Sequence, residues 1–70
     1  MNRYLIAVDS TKAVVADVVI ELKKMKISVV EALDLINTIV IKANEKQVLK
    51  IKKQIEGILS IDIEGQLNAI

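Results

Sequence analysis

The sequence predicts a mainly helical α+β domain with a short N-terminal strand, three helices and a second strand near the C-terminus, assembled as an intertwined homo-oligomer. Three observations lead to this fold class. A β-prone run covers residues 3–8, apolar residues recur at helical spacing over 12–26 and 46–55, and the segment 28–43 would be apolar around most of its circumference as a helix. With no proline, linker or internal repeat, residues 1–70 are expected to form a single small oligomerising domain.

The first strand and the first helix are predicted from neighbouring segments. Residues 3–8 read Arg-Tyr-Leu-Ile-Ala-Val and end at Asp9, Ser10 and Thr11, which are able to cap a helix. Over residues 12–26 the apolar positions return at helical spacing. Many of them are β-branched, which leaves a strand as a competitor, but period-two alternation does not hold across the segment.

The second helix is predicted over residues 28–43. Ser28 and Glu31 have the spacing of a capping box, which indicates a helix start. A helix that is apolar on almost all sides must be covered on several sides, and a 70-residue chain has little core with which to cover it. We therefore expect two copies of this helix to pack together, through Val29, Leu33, Ile36 and Val40.

The third helix follows Asn44, because Asn44 and Gln47 repeat the capping pattern. The alternative is one continuous rod formed by the second and third helices. Gly57 suits the left-handed residue after a last helical turn, and residues 59–64 alternate apolar and polar side chains as a half-buried strand does. The tail after Gly65 has no clear pattern and is expected to fray.

Composition narrows the classes of function. The chain has no Cys and no His, which removes disulfides, thiolate ligands and the usual bases for a nucleophile, so we expect neither catalysis nor a metal or cofactor. The apolar share is 53%, above the roughly 45–50% of ordinary domains, which favours a subunit interface. The net charge of +1 does not demand a polyanion, and no uncharged apolar run approaches the roughly 18 residues of a membrane span. A soluble, cytoplasmic protein with no membrane partner is expected.

Residues 3–43 resemble the ribbon-helix-helix family of dimeric DNA-binding regulators. The resemblance rests on the order of strand, helix, tight turn at Lys26, Ile27 and Ser28, and second helix. It implies that the N-terminal strands of two subunits pair into a ribbon that enters the major groove, with Arg3 and Tyr4 on that ribbon.

Two sets of side chains are candidates for binding. Lys46, Lys50 and Lys53 share the outer face of the third helix, where they either contact phosphates or form a solvated surface. Tyr4 either holds a ligand ring or partner peptide, or packs over the edge of the core. The sequence thus predicts a non-catalytic, homo-oligomeric interaction or regulatory protein that binds a partner protein or small ligand at a subunit junction. The alternative is a dimeric regulator that binds duplex DNA.

Overall fold

Four strands and two helices make up the described part of the chain. The structure, a computed structural model, describes residues 2–64; the tail that was expected to fray after Gly65 lies outside them. The elements, in chain order, are β1 (Asn2–Val8), α1 (Val15–Lys24), β2 (Ser28–Leu33), a short 3₁₀ turn (Asp34–Ile36), β3 (Thr38–Ala43), α2 (Glu45–Gln54) and β4 (Ile58–Ile63). The result is a small α+β domain.

The strands form one antiparallel sheet in the order β2-β3-β1-β4. Each helix connects two strands that are separated in the sheet by a third strand: α1 joins β1 to β2, and α2 joins β3 to β4. This is the split βαβ, or ferredoxin-like, arrangement. Because many unrelated functions occur on such a frequent arrangement, the topology by itself does not indicate what the protein does.

The core lies between the sheet and both helices. Its fully buried side chains come from one face of β1 and β3 and from the inner faces of α1 and α2: Ile6, Val18, Leu22, Ile39, Ile41 and Ile51. Since alternate residues of a strand point to opposite faces, the remaining residues of β1 and β3 point away from the helices. No helix among residues 2–64 covers that second face, which we call the open face.

The prediction of a mainly helical fold with three helices is wrong, because residues 28–43 form the hairpin of β2 and β3. Ser28 begins a strand, so its predicted capping box does not form. Asn37 adopts φ 50° after the 3₁₀ turn, a left-handed conformation that Asn tolerates better than most residues. The run from 39 to 41 is apolar on both sides because β3 is an inner strand: Ile39 and Ile41 face the core, and Val40, on the open face, is only 5% exposed. Assembly through a second helix is therefore also wrong.

Hydrogen bonds within a few residues define where α2 begins and where α1 ends. Asn44 accepts a hydrogen bond from the Gln47 N–H (2.9 Å), and the Gln47 side chain accepts one from the Asn44 N–H (3.0 Å), which completes the capping box of α2. At the end of α1, Lys26 has φ 61°, the Ile27 N–H donates to the Leu22 carbonyl (3.1 Å), and the Lys26 N–H donates to that of Lys23 (3.0 Å). This is a Schellman motif with lysine at its left-handed position.

The ribbon implied by the ribbon-helix-helix resemblance does not form in this fold. Both edges of β1 are already occupied, by β3 on one side and β4 on the other, so β1 has no free edge for a second subunit. The second helix of that family is absent from residues 28–43 as well.

Candidate functional site

The open face is built from three rows of side chains that run across the sheet. The strand register gives the rows Leu33, Thr38, Ala7, Ser60; Glu31, Val40, Leu5, Asp62; and Ser28, Lys42, Arg3, Glu64. The first two rows are small or aliphatic at their centre, where Val40 is only 5% exposed although it is not part of the core. The open face thus has a neutral centre flanked by single acidic residues.

The charged side chains of the open face are exposed and of both signs. Arg3 Nε lies 3.3 Å from Glu64 Oε1, and both side chains are close to half exposed, so the pair contributes at most about 1 kcal/mol. No polar or charged side chain among residues 2–64 is buried. The desolvated acid or base that enzymes need for proton transfer is therefore not found in the part of the chain that the structure describes.

One end of the sheet carries a concentration of exposed aliphatic side chains. Leu35 is 100% exposed and Ile36 65% exposed in the turn between β2 and β3, and Leu59, at the start of β4, is 68% exposed. The Val8 N–H donates to the Asn37 carbonyl (2.8 Å), which places that turn beside the end of β1. With Leu33 on the open face below, these residues form what we call the aliphatic end: Leu33, Leu35, Ile36 and Leu59.

A groove runs between α2 and the free edge of β4. It has a volume of about 410 Å³, and its lining includes Glu45, Leu49 and Lys52 of α2 and Ile61 and Ile63 of β4. Leu49 is 58% exposed, and both isoleucines are only partly buried against the core. We call this feature the α2–β4 groove.

A shallow, open depression of about 660 Å³ lies near the start of β4 and is lined by Lys12, Lys52 and Lys53 together with residues 55–61, which include Glu56. Its charged side chains are exposed and of both signs. No group of three or more His, Cys, Asp or Glu side chains that could hold a metal occurs within residues 2–64. The depression gives no reason to prefer a small ligand over a protein surface.

One carboxyl group is perturbed. Thr11 donates two hydrogen bonds to Asp9 Oδ1, from its hydroxyl (2.6 Å) and its N–H (3.0 Å), and these hold the pKa of Asp9 below its ordinary value. The Asp9 N–H in turn donates to the Gly57 carbonyl (2.7 Å), so this turn ties the end of β1 to the start of β4. The arrangement is a structural turn on the surface.

The predicted binding residues lie apart from one another. Arg3 is on the open face, whereas Tyr4 is 7% exposed and belongs to the core, which agrees with packing over the core edge. Lys46, Lys50 and Lys53 are exposed along α2, on the other side of the domain from the open face. Phosphate or DNA binding by these lysines stays a prediction.

The four residues predicted for the oligomer interface do not form one stripe. Val29 packs against the core, Val40 is nearly covered at the centre of the open face, and Leu33 and Ile36 belong to the aliphatic end. Self-association through these four residues stays a prediction. Of the four, only Leu33 and Ile36 lie together at one end of the sheet.

Sequence reasoning missed Leu35, Leu59 and Leu49. Alternation over residues 59–64 indicates a strand, but nothing in it shows that this strand is placed at the edge of the sheet or beside which helix it lies.

Comparison of the chain with protein-family models, with curated proteins and with solved structures found no match in any of the three. Neither helix within residues 2–64 has the length and apolar character required to cross a bilayer.

Proposed function

We propose that this chain is a non-catalytic, homo-oligomeric interaction protein that regulates a partner protein by binding it at the aliphatic end and the adjoining open face. The observation that carries the proposal is that three exposed aliphatic residues, Leu35, Ile36 and Leu59, lie at the same end of the sheet. Single exposed aliphatic residues are ordinary, but a concentrated apolar surface beside polar side chains is typical of a protein-binding site.

The size of the apolar surface decides which kind of ligand fits. Burying the exposed parts of Leu35, Ile36 and Leu59 would contribute about 5 kcal/mol, whereas association costs at least about 4 kcal/mol in lost freedom. The aliphatic end alone therefore gives weak binding, and useful affinity requires contact with the adjoining open face as well, where Leu5 is partly exposed. Only a macromolecular surface reaches both.

The charges around this surface favour a protein over a nucleic acid. Glu31 and Asp62 flank the neutral centre, and Arg3 is paired with Glu64. Such a mixed rim lacks the excess of positive charge with which proteins bind phosphate backbones. A cytoplasmic location is part of this proposal.

Site-specific photocrosslinking in cells tests the proposal. A benzophenone amino acid at Leu35 should give a covalent complex with one recurring protein, and Leu59→Glu in the same chain should abolish it. The matched control is the same crosslinker at Lys24, an exposed position at the end of α1. If Leu35 gives no complex beyond the products obtained at Lys24, or if Leu59→Glu leaves the complex unchanged, the aliphatic end is not the binding surface.

A further inference from the structure

The outer edge of β4, which no other strand of residues 2–64 covers, presents its backbone groups in an order that the register defines. The Glu64 N–H donates to the Arg3 carbonyl (2.8 Å), so Glu64 faces β1. Because hydrogen-bonding direction alternates along an antiparallel strand, Asp62 and Ser60 also face β1, whereas the N–H and C=O groups of Ile61 and Ile63 point away from it. In the sheet of residues 2–64 these groups lie on an outer edge.

The two edges of the sheet differ in how well they are guarded. The β2 edge is interrupted between Val29 and Glu31 by a bulge, a device that hinders edge-to-edge pairing. On β4 the irregularity is confined to the end near Val8, and the register from Ser60 to Ile63 is regular. That stretch has no proline and no lysine, so it resembles a pairing edge more than a blocked one.

We propose that a second copy of this chain pairs antiparallel with β4, about a twofold axis at Ile61, to form a continuous eight-stranded sheet. This inference rests on the self-association contained in the proposed function, and not on the partner protein. A twofold axis perpendicular to the sheet keeps the helices of both copies on one face, so that residues of like orientation oppose one another. The axis then passes through Ser60, Ile61 or Asp62.

Charge disfavours one of these registers and favours another. An axis at Asp62 places the two Asp62 carboxylates directly opposite, about 4.5 Å apart between their Cα atoms, which is destabilising. An axis at Ile61 instead places Ser60 of each copy opposite Asp62 of its mate, as a hydroxyl donor facing a carboxylate. Ser60 Oγ already lies 3.4 Å from Asp62 Oδ2 within one copy. The axis at Ile61 also allows the outward N–H and C=O groups of the two Ile61 residues to form hydrogen bonds with each other.

The α2–β4 groove provides the second part of the contact. The twofold axis makes the two copies of α2 antiparallel beside the paired β4 strands. Glu45, Leu49 and Lys52 are spaced to lie along one stripe of α2, and all three line the groove. In the dimer, Leu49 therefore approaches Leu49 of the mate, while Glu45 and Lys52 at the two ends of the stripe meet residues of opposite charge. The exposed Leu49 is covered by this arrangement.

The contact is small. One short strand pairing and one helical stripe fall in the class below about 1,200 Å² in total, for which weak association is usual. We expect dissociation constants in the micromolar range.

Cysteine crosslinking tests the register, and the native chain contains no Cys to interfere. Cα atoms about 4.5 Å apart satisfy disulfide geometry. Mixed Ser60→Cys and Asp62→Cys chains should give a disulfide-linked heterodimer on mild oxidation, and neither variant alone should do so. Rapid linkage of Ser60→Cys alone or Asp62→Cys alone would indicate a different axis and overturn the proposed register. Leu35→Cys, at the fully exposed turn, measures collisional background.

Sedimentation equilibrium of the 70-residue chain tests the interface itself. Leu49→Glu should weaken the dimer at least about 30-fold, because two partly buried leucines are lost and two carboxylates face each other. Glu45→Lys and Lys52→Glu should each weaken self-association about tenfold, and a mixture of the two variants should recover it as a heterodimer. Leu35→Glu is the matched control in the turn between β2 and β3, outside the α2–β4 groove, and should leave the dimer unchanged.

Two results would overturn the inference. The first is a chain that stays monomeric to about 1 mM with its circular dichroism spectrum intact, well above the expected micromolar range. The second is a dimer that Leu49→Glu leaves intact. If Leu35→Glu abolished the dimer, the self-association surface would be the aliphatic end and not β4. Failure of photocrosslinking at Leu35 would contradict only the proposed partner-binding site.

Discussion

Gly57 is the position at which a single methyl group should cost the most. It has φ 82°, a conformation that residues with a Cβ rarely adopt. A Cβ built there lies 2.6 Å from the Cβ of Ala13, well inside van der Waals contact. The Gly57 carbonyl also accepts from the Asp9 N–H, so the backbone is held on both sides and cannot shift freely.

The expected loss for Gly57→Ala follows from two terms. The left-handed backbone costs about 1–2 kcal/mol, and overpacking against Ala13 adds about 1–3 kcal/mol. A 70-residue domain has about 4–10 kcal/mol of stability, so a loss of about 3 kcal/mol is a large share of it. The midpoint of thermal unfolding should fall by about 15 °C. Urea unfolding followed by circular dichroism measures the change directly.

A second substitution separates the two terms. Ala13→Gly removes the Cβ that the new methyl group meets but leaves the backbone penalty at residue 57. The double variant Gly57→Ala with Ala13→Gly should therefore be more stable than additivity of the single variants predicts, by about 1–2 kcal/mol. A Gly57→Ala protein within 0.5 kcal/mol of the parent, or strict additivity in the double variant, would refute the reasoning.

Three further predictions concern the ends of the helices and the turn after β1. Lys26→Gly should raise stability by about 1 kcal/mol, because lysine occupies the left-handed position after α1; a fall in the urea midpoint would contradict this. Asn44→Ala should lower it by about 1 kcal/mol through loss of the α2 cap, while the slope of the urea transition stays constant. Asp9 has a lowered pKa in the folded chain, so its contribution is present above the ordinary pKa of 3.8 and is lost as the pH falls through the lowered value. The Thr11→Val protein should therefore be less stable than the parent near neutral pH, and the difference in stability should shrink as the pH falls below 3.8. A difference that does not depend on pH would indicate another cause.

The local signals that the sequence carries were reliable where one segment decides its own conformation. The capping pattern of Asn44 predicts the start of α2, Gly57 does adopt a left-handed conformation, and the alternating residues 59–64 overlap β4, which covers Ile58–Ile63. Each of these depends on hydrogen bonds or side-chain orientation within a few residues.

The hairpin of β2 and β3 could not be recognised in the same way. A short, continuous apolar run is compatible with either a buried helix or an inner strand, and periodicity alone does not separate them. Its β-branched residues favoured a strand, while the Ser28 to Glu31 spacing favoured a helix. The choice is made by β1, because Ile39 and Ile41 pair with it across the sheet, and such long-range pairing is not visible in the segment itself. The wrong element also leads to the wrong assembly, because a helix that is apolar on all sides requires a second copy to cover it.

The apolar excess that suggested self-association is largely absorbed within one chain, and what remains exposed falls in separate places. Leu35, Ile36 and Leu59 lie at one end of the sheet, whereas Leu49 lies in the α2–β4 groove on the helical side. A β4 dimer leaves both open faces uncovered and, because its strands are antiparallel, places the two aliphatic ends at opposite ends of the joined sheet. Leu35 and Leu49 therefore belong to different surfaces, whereas Leu59, which the axis at Ile61 places opposite Ile63 of the mate, lies where the two surfaces meet. We expect Leu35→Glu and Leu49→Glu to act independently, one on partner capture and the other on sedimentation, with their double variant showing both losses. A Leu49→Glu monomer that also lost photocrosslinking from Leu35 would mean that the partner needs both copies, and would replace two separable surfaces with one site at the subunit junction.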